Sequence, residues 1–139
     1  DYRPLRLAKK AKAGADFVQT QLIYNVPKFA EYMKRVRDLG VHEKVHILAG
    51  VGPVKSPAMA RYMQTKVAGM DVPDSVVQRM ERVPKEERKK EGIRICAEII
   101  HQVREIPGVA GVHIMSVEWE EAIPEILELA GLLPRPVVE

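Results

Sequence analysis

Two glutamines, Gln19 and Gln21, are the residues whose type and spacing first indicate chemistry. They lie in an apolar run, residues 17–23, that has the length and composition of a β-strand. Because successive side chains of a strand point to opposite faces, we predict that both amides lie on one buried face. A buried amide without a partner costs about 1–3 kcal/mol. We therefore expect a polar group or a ligand to meet them.

The elements that position these amides follow from the apolar pattern. Residues 17–23, 45–49 and 111–115 are short apolar runs, and each one leads into a stretch with helical spacing. Parallel neighbouring strands need a crossover, which is usually a helix. The chain is therefore predicted to be α/β, with a parallel sheet covered by helices.

Helix start and stop signals divide the rest of the chain. A first helix is predicted over residues 5–13, and Asn25, Ser56 and Ser116 are predicted to cap three later helices. The longer gap before the third run predicts extra helices that begin near Asp74 and Pro84. The residues predicted to face the core are Phe29, Tyr32, Met33 and Val36, then Met59, Ala60, Met63 and Val67, then Ile93, Ala97, Ile100 and Val103, and finally Ile123, Ile126, Leu127 and Ala130.

Length and composition limit the class of protein. A chain of 139 residues is one small domain, and three strands cannot close a barrel, so we read residues 1–139 as the C-terminal piece of a larger protein. The net charge of +3 comes from interleaved charges of both signs, which argues against nucleic-acid binding. No apolar stretch is long enough to cross a membrane. The single Cys96 fits a buried thiol in the cytoplasm.

Other polar features have plainer interpretations. The histidines His42, His46, His101 and His113 lack paired metal spacing, and His113 fits a residue inside a barrel. The Gly-rich segment 50–56 is a weak phosphate signal, and a tight turn at the mouth of a sheet is the alternative. Residues 85–91 fit a solvated helix start. Glu118, Glu120 and Glu121 suit a helix N-terminus better than a general acid.

Several segments together resemble one enzyme family. Residues 9–25 contain Ala13-Gly14-Ala15-Asp16-Phe17 followed by Thr20-Gln21, and this pattern resembles methylenetetrahydrofolate reductase. The similarity continues in the same order through residues 48–54, 72–74, 91–97 and 108–115. It covers nearly the whole chain.

The resemblance implies a fold, a reaction and site residues. It implies that the chain is the last three strand–helix units of a (β/α)8 barrel, without the N-terminal strands, in an enzyme of one-carbon metabolism and methionine biosynthesis. The reaction would pass hydride from NAD(P)H or a redox partner protein, through FAD or alternatively FMN, to 5,10-methylenetetrahydrofolate. Gln21 would contact the folate or the nicotinamide, Lys10 the flavin, and Lys9 would be its basic neighbour, while Gln19 would be structural. Homo-oligomers or hetero-complexes are expected.

The sequence also departs from the family pattern. Arg3 and Arg6 replace an Asp and an Asn that contact the flavin, Met59 replaces a folate-binding glutamine and Trp119 a folate-binding arginine. These departures resemble an anaerobe-type branch. The acidic proton donor belongs to earlier strands, so this chain alone is expected to be inactive. The alternatives are a non-catalytic part-barrel that docks on a partner chain, or a pterin- or phosphate-binding barrel with other chemistry.

Overall fold

A parallel three-stranded sheet organises residues 1–138, which are the residues described by this computed structural model. The strands are β1 (Phe17–Leu22), β2 (His46–Val51) and β3 (Val109–Ile114), and they lie in the order β1-β2-β3. Both pairs are parallel. The predicted α/β fold is confirmed, with strand ends that differ from the predicted ones by one or two residues.

Six helices connect and flank these strands: α1 (Arg3–Lys12), α2 (Val26–Asp38), α3 (Pro57–Lys66), α4 (Asp74–Arg82), α5 (Arg88–Arg104) and α6 (Ile123–Leu129). Two of the predicted caps are confirmed. The Asn25 side chain accepts a hydrogen bond from the Lys28 backbone N–H, and Ser56 accepts one from that of Met59. No helix within residues 1–138 is both long enough and apolar enough to cross a membrane.

The prediction that Ser116 caps the last helix is wrong. A short 3₁₀ turn, Glu120–Ala122, comes first, and α6 begins only at Ile123 without a side-chain cap. Glu118 lies just before the 3₁₀ turn and has a left-handed backbone at φ 50°. Residues 115–119 therefore form an irregular loop, because contacts with a neighbouring loop, and not the local cap signal, decide their course.

The core lies between the helices and one face of the sheet. Ile47, Ala49 and Val51 alternate along β2 and are fully buried, and α5 packs against both β2 and β3. The predicted α5 stripe is confirmed, since Ile93, Ala97, Ile100 and Val103 are all buried. Among the other predicted core residues, Tyr32, Met59, Val67, Ile123 and Leu127 are only half-buried.

An ion-pair network fixes the start of α5 against α4. Arg79 of α4 donates to the carboxylates of Glu91 and Glu98, and Arg94 donates to Glu91 at 3.2 Å. Arg79 also holds the pKa of Glu98 below its usual range. The interpretation of residues 85–91 as entirely solvated is wrong for Glu91, which is 6% exposed. Its burial is possible because two guanidinium groups pair with it.

Candidate functional site

The carboxyl ends of the three strands lie at one edge of the sheet, which is where ligands bind in parallel α/β folds. Three loops meet there. They are residues 23–25 after β1, residues 52–56 after β2 and residues 115–119 after β3. The β2–α3 loop (residues 52–56) lies between the other two in the sheet order.

A cleft of about 390 Å³ opens beside β1, between α1 and α2. That volume is within the range of small-molecule sites. Its lining combines amides, hydroxyl groups and cations: Arg3, Arg6, Leu7, Lys10, Val18, Gln19, Thr20, Gln21, Ile23, Tyr24, Asn25, Lys28, Phe29, Tyr32, Gly69 and Asp71. The structure thus brings Gln19, Gln21 and Lys10 to one cavity.

Both glutamines line this cleft, and the pairing of their strand β1 with β2 is irregular. Gln19 pairs with Leu48 and Leu22 pairs with Gly50, so β1 carries one extra residue between these pairs. This irregularity places Leu22, and not Gln21, opposite Gly50. Exposure still alternates along β1, so Gln19 and Gln21 share its exposed side, and only the predicted burial of the two amides is wrong.

Thr20 is the site residue that the sequence analysis missed. Its hydroxyl oxygen accepts a hydrogen bond from the Gly50 backbone N–H and donates one to the Gln21 carbonyl oxygen, each at 2.8 Å. The Gln21 side-chain oxygen in turn accepts from the Leu22 backbone N–H at 3.1 Å. These bonds orient the Gln21 amide and leave its two N–H donors available.

The two predicted cofactor lysines lie on different sides of α1. Lys10 lines the cleft, whereas Lys9 lies on an outer surface with Tyr2, Leu5 and Lys12. Adjacent helical residues point about 100° apart, which accounts for the separation of the two side chains, while Arg6 lines both surfaces. Lys10 is also close in sequence to the start of β1, while Gln21 lies near the end of that strand.

Positive charge dominates the cleft. Lys28 pairs with Asp71 at 2.7 Å and holds the pKa of Asp71 below its usual value, and Arg3 pairs with Asp1 at 2.8 Å. Arg6 and Lys10 form no ion pair with another residue of the described chain. The cleft therefore suits a ligand that carries phosphate or carboxylate groups.

The β2–α3 loop is fixed by contacts from two directions. The Tyr24 hydroxyl donates to the Gly52 carbonyl oxygen at 3.0 Å, and burial raises the pKa of Tyr24. A Cβ atom at Gly92 of α5 would overlap the Val54 carbonyl oxygen, so the helix backbone lies directly on this loop. The loop is thus a packed turn rather than an open phosphate cradle.

The remaining candidates contribute little chemistry. Within residues 1–138, no three His, Cys, Asp or Glu side chains are close enough to hold a metal ion. His113 is half-buried in β3, in register with Gly50. Cys96 is 1% exposed, and burial raises the pKa of its thiol to about 12, so it stays protonated near neutral pH.

Comparison with known proteins gives one consistent family. The family model of methylenetetrahydrofolate reductase matches residues 3–131. Methylenetetrahydrofolate reductase 2 of Schizosaccharomyces pombe is 28% identical over 95% of this chain and 22% of its own length. A probable methylenetetrahydrofolate reductase (NADPH) of Caenorhabditis elegans is 24% identical over 91% of this chain and 19% of its own length. The chain thus spans about a fifth of these relatives.

Proposed function

This chain belongs to the methylenetetrahydrofolate reductase family, and on that premise we propose that it forms part of a flavin-dependent reductase of 5,10-methylenetetrahydrofolate. Its parallel strand–helix units form part of the family's (β/α)8 barrel. We propose that they are the last three units. The observation that carries the proposal is the oriented Gln21 amide, which lies near the carboxyl end of β1 in a cationic cleft.

The cleft fits the groups that the reaction requires. We assign Gln21 to the folate, because Gln21 lines a cleft large enough for a planar heterocycle and its side-chain oxygen, but not its N–H donors, is engaged by the strand. We assign Lys10 to the phosphate groups of the flavin nucleotide, which an ammonium group binds as a point charge. Lys9 remains a proposed basic neighbour that acts from outside the cleft. The flavin, FAD or alternatively FMN, supplies the hydride-transfer chemistry when it is bound.

The partners and location are proposals of the same kind. The electron donor is NADH, NADPH or a redox partner protein, and the name of the nematode relative contains NADPH. A homo-oligomer or a hetero-complex is expected, since within residues 1–138 the outer edges of β1 and β3 have no neighbouring strand. Because its one cysteine is a buried free thiol, we propose a cytoplasmic location.

The test uses the complete protein that contains this chain. We expect it to purify with flavin, and its flavin, once reduced anaerobically, to be reoxidised by 5,10-methylenetetrahydrofolate. 5-Methyltetrahydrofolate is then detected by mass spectrometry. A flavin-free protein without turnover would instead indicate a non-catalytic part-barrel. A flavoprotein that methylenetetrahydrofolate does not reoxidise would indicate a barrel with other chemistry.

A further inference from the structure

Lys55, in the loop after β2, contacts the neighbouring loop after β3. The Lys55 ammonium group donates to the Glu118 carbonyl oxygen at 2.6 Å. The same nitrogen lies 5.8 Å from the centre of the Trp119 ring, within the range of a cation–π contact. One side chain of the β2–α3 loop thus contacts two successive residues of the β3–α6 loop (residues 115–119).

Lys55 acts from a rigid base. The residues before it, Pro53 and Val54, are buried, and the loop is held by Tyr24 on one side and by Gly92 on the other. The loop that it holds is different. Val117 and Glu118 are exposed, and Glu118 has a left-handed backbone that a non-glycine residue seldom adopts without external contacts. The Lys55 contacts therefore hold the exposed β3–α6 loop against the packed β2–α3 loop.

The chemistry of the contact is not that of an ordinary surface ion pair. Within residues 1–138, Lys55 forms no ion pair with a carboxylate, so its positive charge is shared between a backbone carbonyl and an aromatic ring. Trp119 is half-buried and packs against the core. The pair places a net positive charge and a large aromatic ring together beyond the ends of β2 and β3.

We propose that Lys55 is a positioning residue: it fixes Trp119 and the β3–α6 loop at the carboxyl-end edge of the sheet, where this loop, which does not line the cleft of Gln21, completes the folate site from the side of β3. This inference rests on the proposed function for the nature of the ligand. The fixed loop geometry rests on the contacts alone. Lys55 acts on the substrate through Trp119, so its loss affects folate binding and leaves flavin binding intact.

The experiment compares Lys55→Met and Lys55→Arg in the complete protein, with Lys66→Met as the matched control on the exposed end of α3. Lys55→Met keeps the aliphatic stem and removes the charge and donors. It should raise the folate KM about tenfold at unchanged flavin content and unchanged flavin reduction by the donor. Lys55→Arg should restore most of the loss, and Lys66→Met should have no effect.

A second readout follows the loop itself. Trp119 is the one tryptophan of residues 1–139. Its emission in the complete protein is therefore obtained by subtracting the spectrum of the same protein with Trp119→Phe. Acrylamide should quench Trp119 more strongly in Lys55→Met than in the parent. Parent-like quenching would overturn the inference. Increased quenching in Lys55→Met with an unchanged folate KM would also overturn the inference. A Lys55→Arg protein that loses flavin as well would overturn it too. A parent protein without folate turnover would show, before any variant is made, that the proposed function itself has failed.

Discussion

At the scale of single residues, the important feature is an amide whose orientation comes from its own strand. The extra residue in β1 lets the Thr20 hydroxyl bond to both β1 and β2, and the Gln21 side chain bonds to the next backbone N–H. An oriented amide loses little side-chain entropy when a ligand binds. Gln21 is therefore suited to binding, whereas the Gln19 side chain forms no hydrogen bond within residues 1–138.

Replacing Gln21 with Ala in the complete enzyme should weaken the folate half-reaction. Loss of the ligand hydrogen bonds is worth about 1–3 kcal/mol, or roughly 5- to 150-fold in the rate or affinity of flavin reoxidation. Stopped-flow reoxidation by methylenetetrahydrofolate measures both. Flavin content should stay nearly unchanged. Gln19→Ala is the matched control and should have the smaller kinetic effect. A Gln21→Ala enzyme with the parent rate and affinity would remove this residue from the site.

At the scale of elements, helix α5 positions the β2–α3 loop at the carboxyl-end edge of the sheet. Its first turns are held by the Glu91 ion pairs to α4, and the next residue, Gly92, lies against the backbone of Val54. The loop that carries Lys55 is therefore positioned by a helix that has no residue in the cleft. A glycine is required there because no side chain fits between the two backbones.

Gly92→Ala should destabilise the protein even though alanine favours a helix. The added methyl group overlaps the Val54 carbonyl oxygen, and such overpacking costs about 1–3 kcal/mol, more than the roughly 1 kcal/mol that alanine gains in helix propensity. Urea unfolding of the complete protein measures the change. Gly111→Ala is the control, because its nearest neighbour is a Leu48 methyl group at 3.4 Å. Equal stability of the two variants would contradict the packing argument.

At the scale of the whole molecule, the helices cover only one face of the sheet. The other face presents Phe17, which is 57% exposed, together with Gln19 and His46. Within residues 1–138, β1 and β3 also each leave one edge unpaired. The exposed Phe17 ring and two free edges favour association. In the proposed barrel, further strands of the complete protein cover these surfaces.

The chain of residues 1–139 by itself should therefore self-associate at micromolar concentration and bind FAD more weakly than micromolar, because other strands supply most flavin contacts. Sedimentation velocity and flavin fluorescence measure the two properties. Phe17→Lys on the open face should reduce association, whereas Tyr62→Lys, on the exposed side of α3 at 61% exposure, should not. A monodisperse monomer that unfolds cooperatively, or submicromolar FAD binding, would contradict this view.

The sequence by itself determined the features that depend on neighbouring residues. Strand–helix alternation, the caps at Asn25 and Ser56, and the buried stripe of α5 follow from local periodicity and hydrogen bonding, and all of them are confirmed. The motif around Thr20-Gln21 also indicated the family that the comparison shows. These signals are readable because the residues that create them lie within one or two turns of each other.

Only the tertiary structure decided how distant segments meet. The irregularity in β1 between Gln19 and Leu22 depends on pairing with β2. The burial of Glu91 depends on Arg79, and the failure of the Ser116 cap accompanies a loop held by Lys55, 63 residues from Glu118 in sequence. No local pattern encodes these contacts, because the free energy that selects them comes from packing and charge pairing between elements that adjoin only after folding.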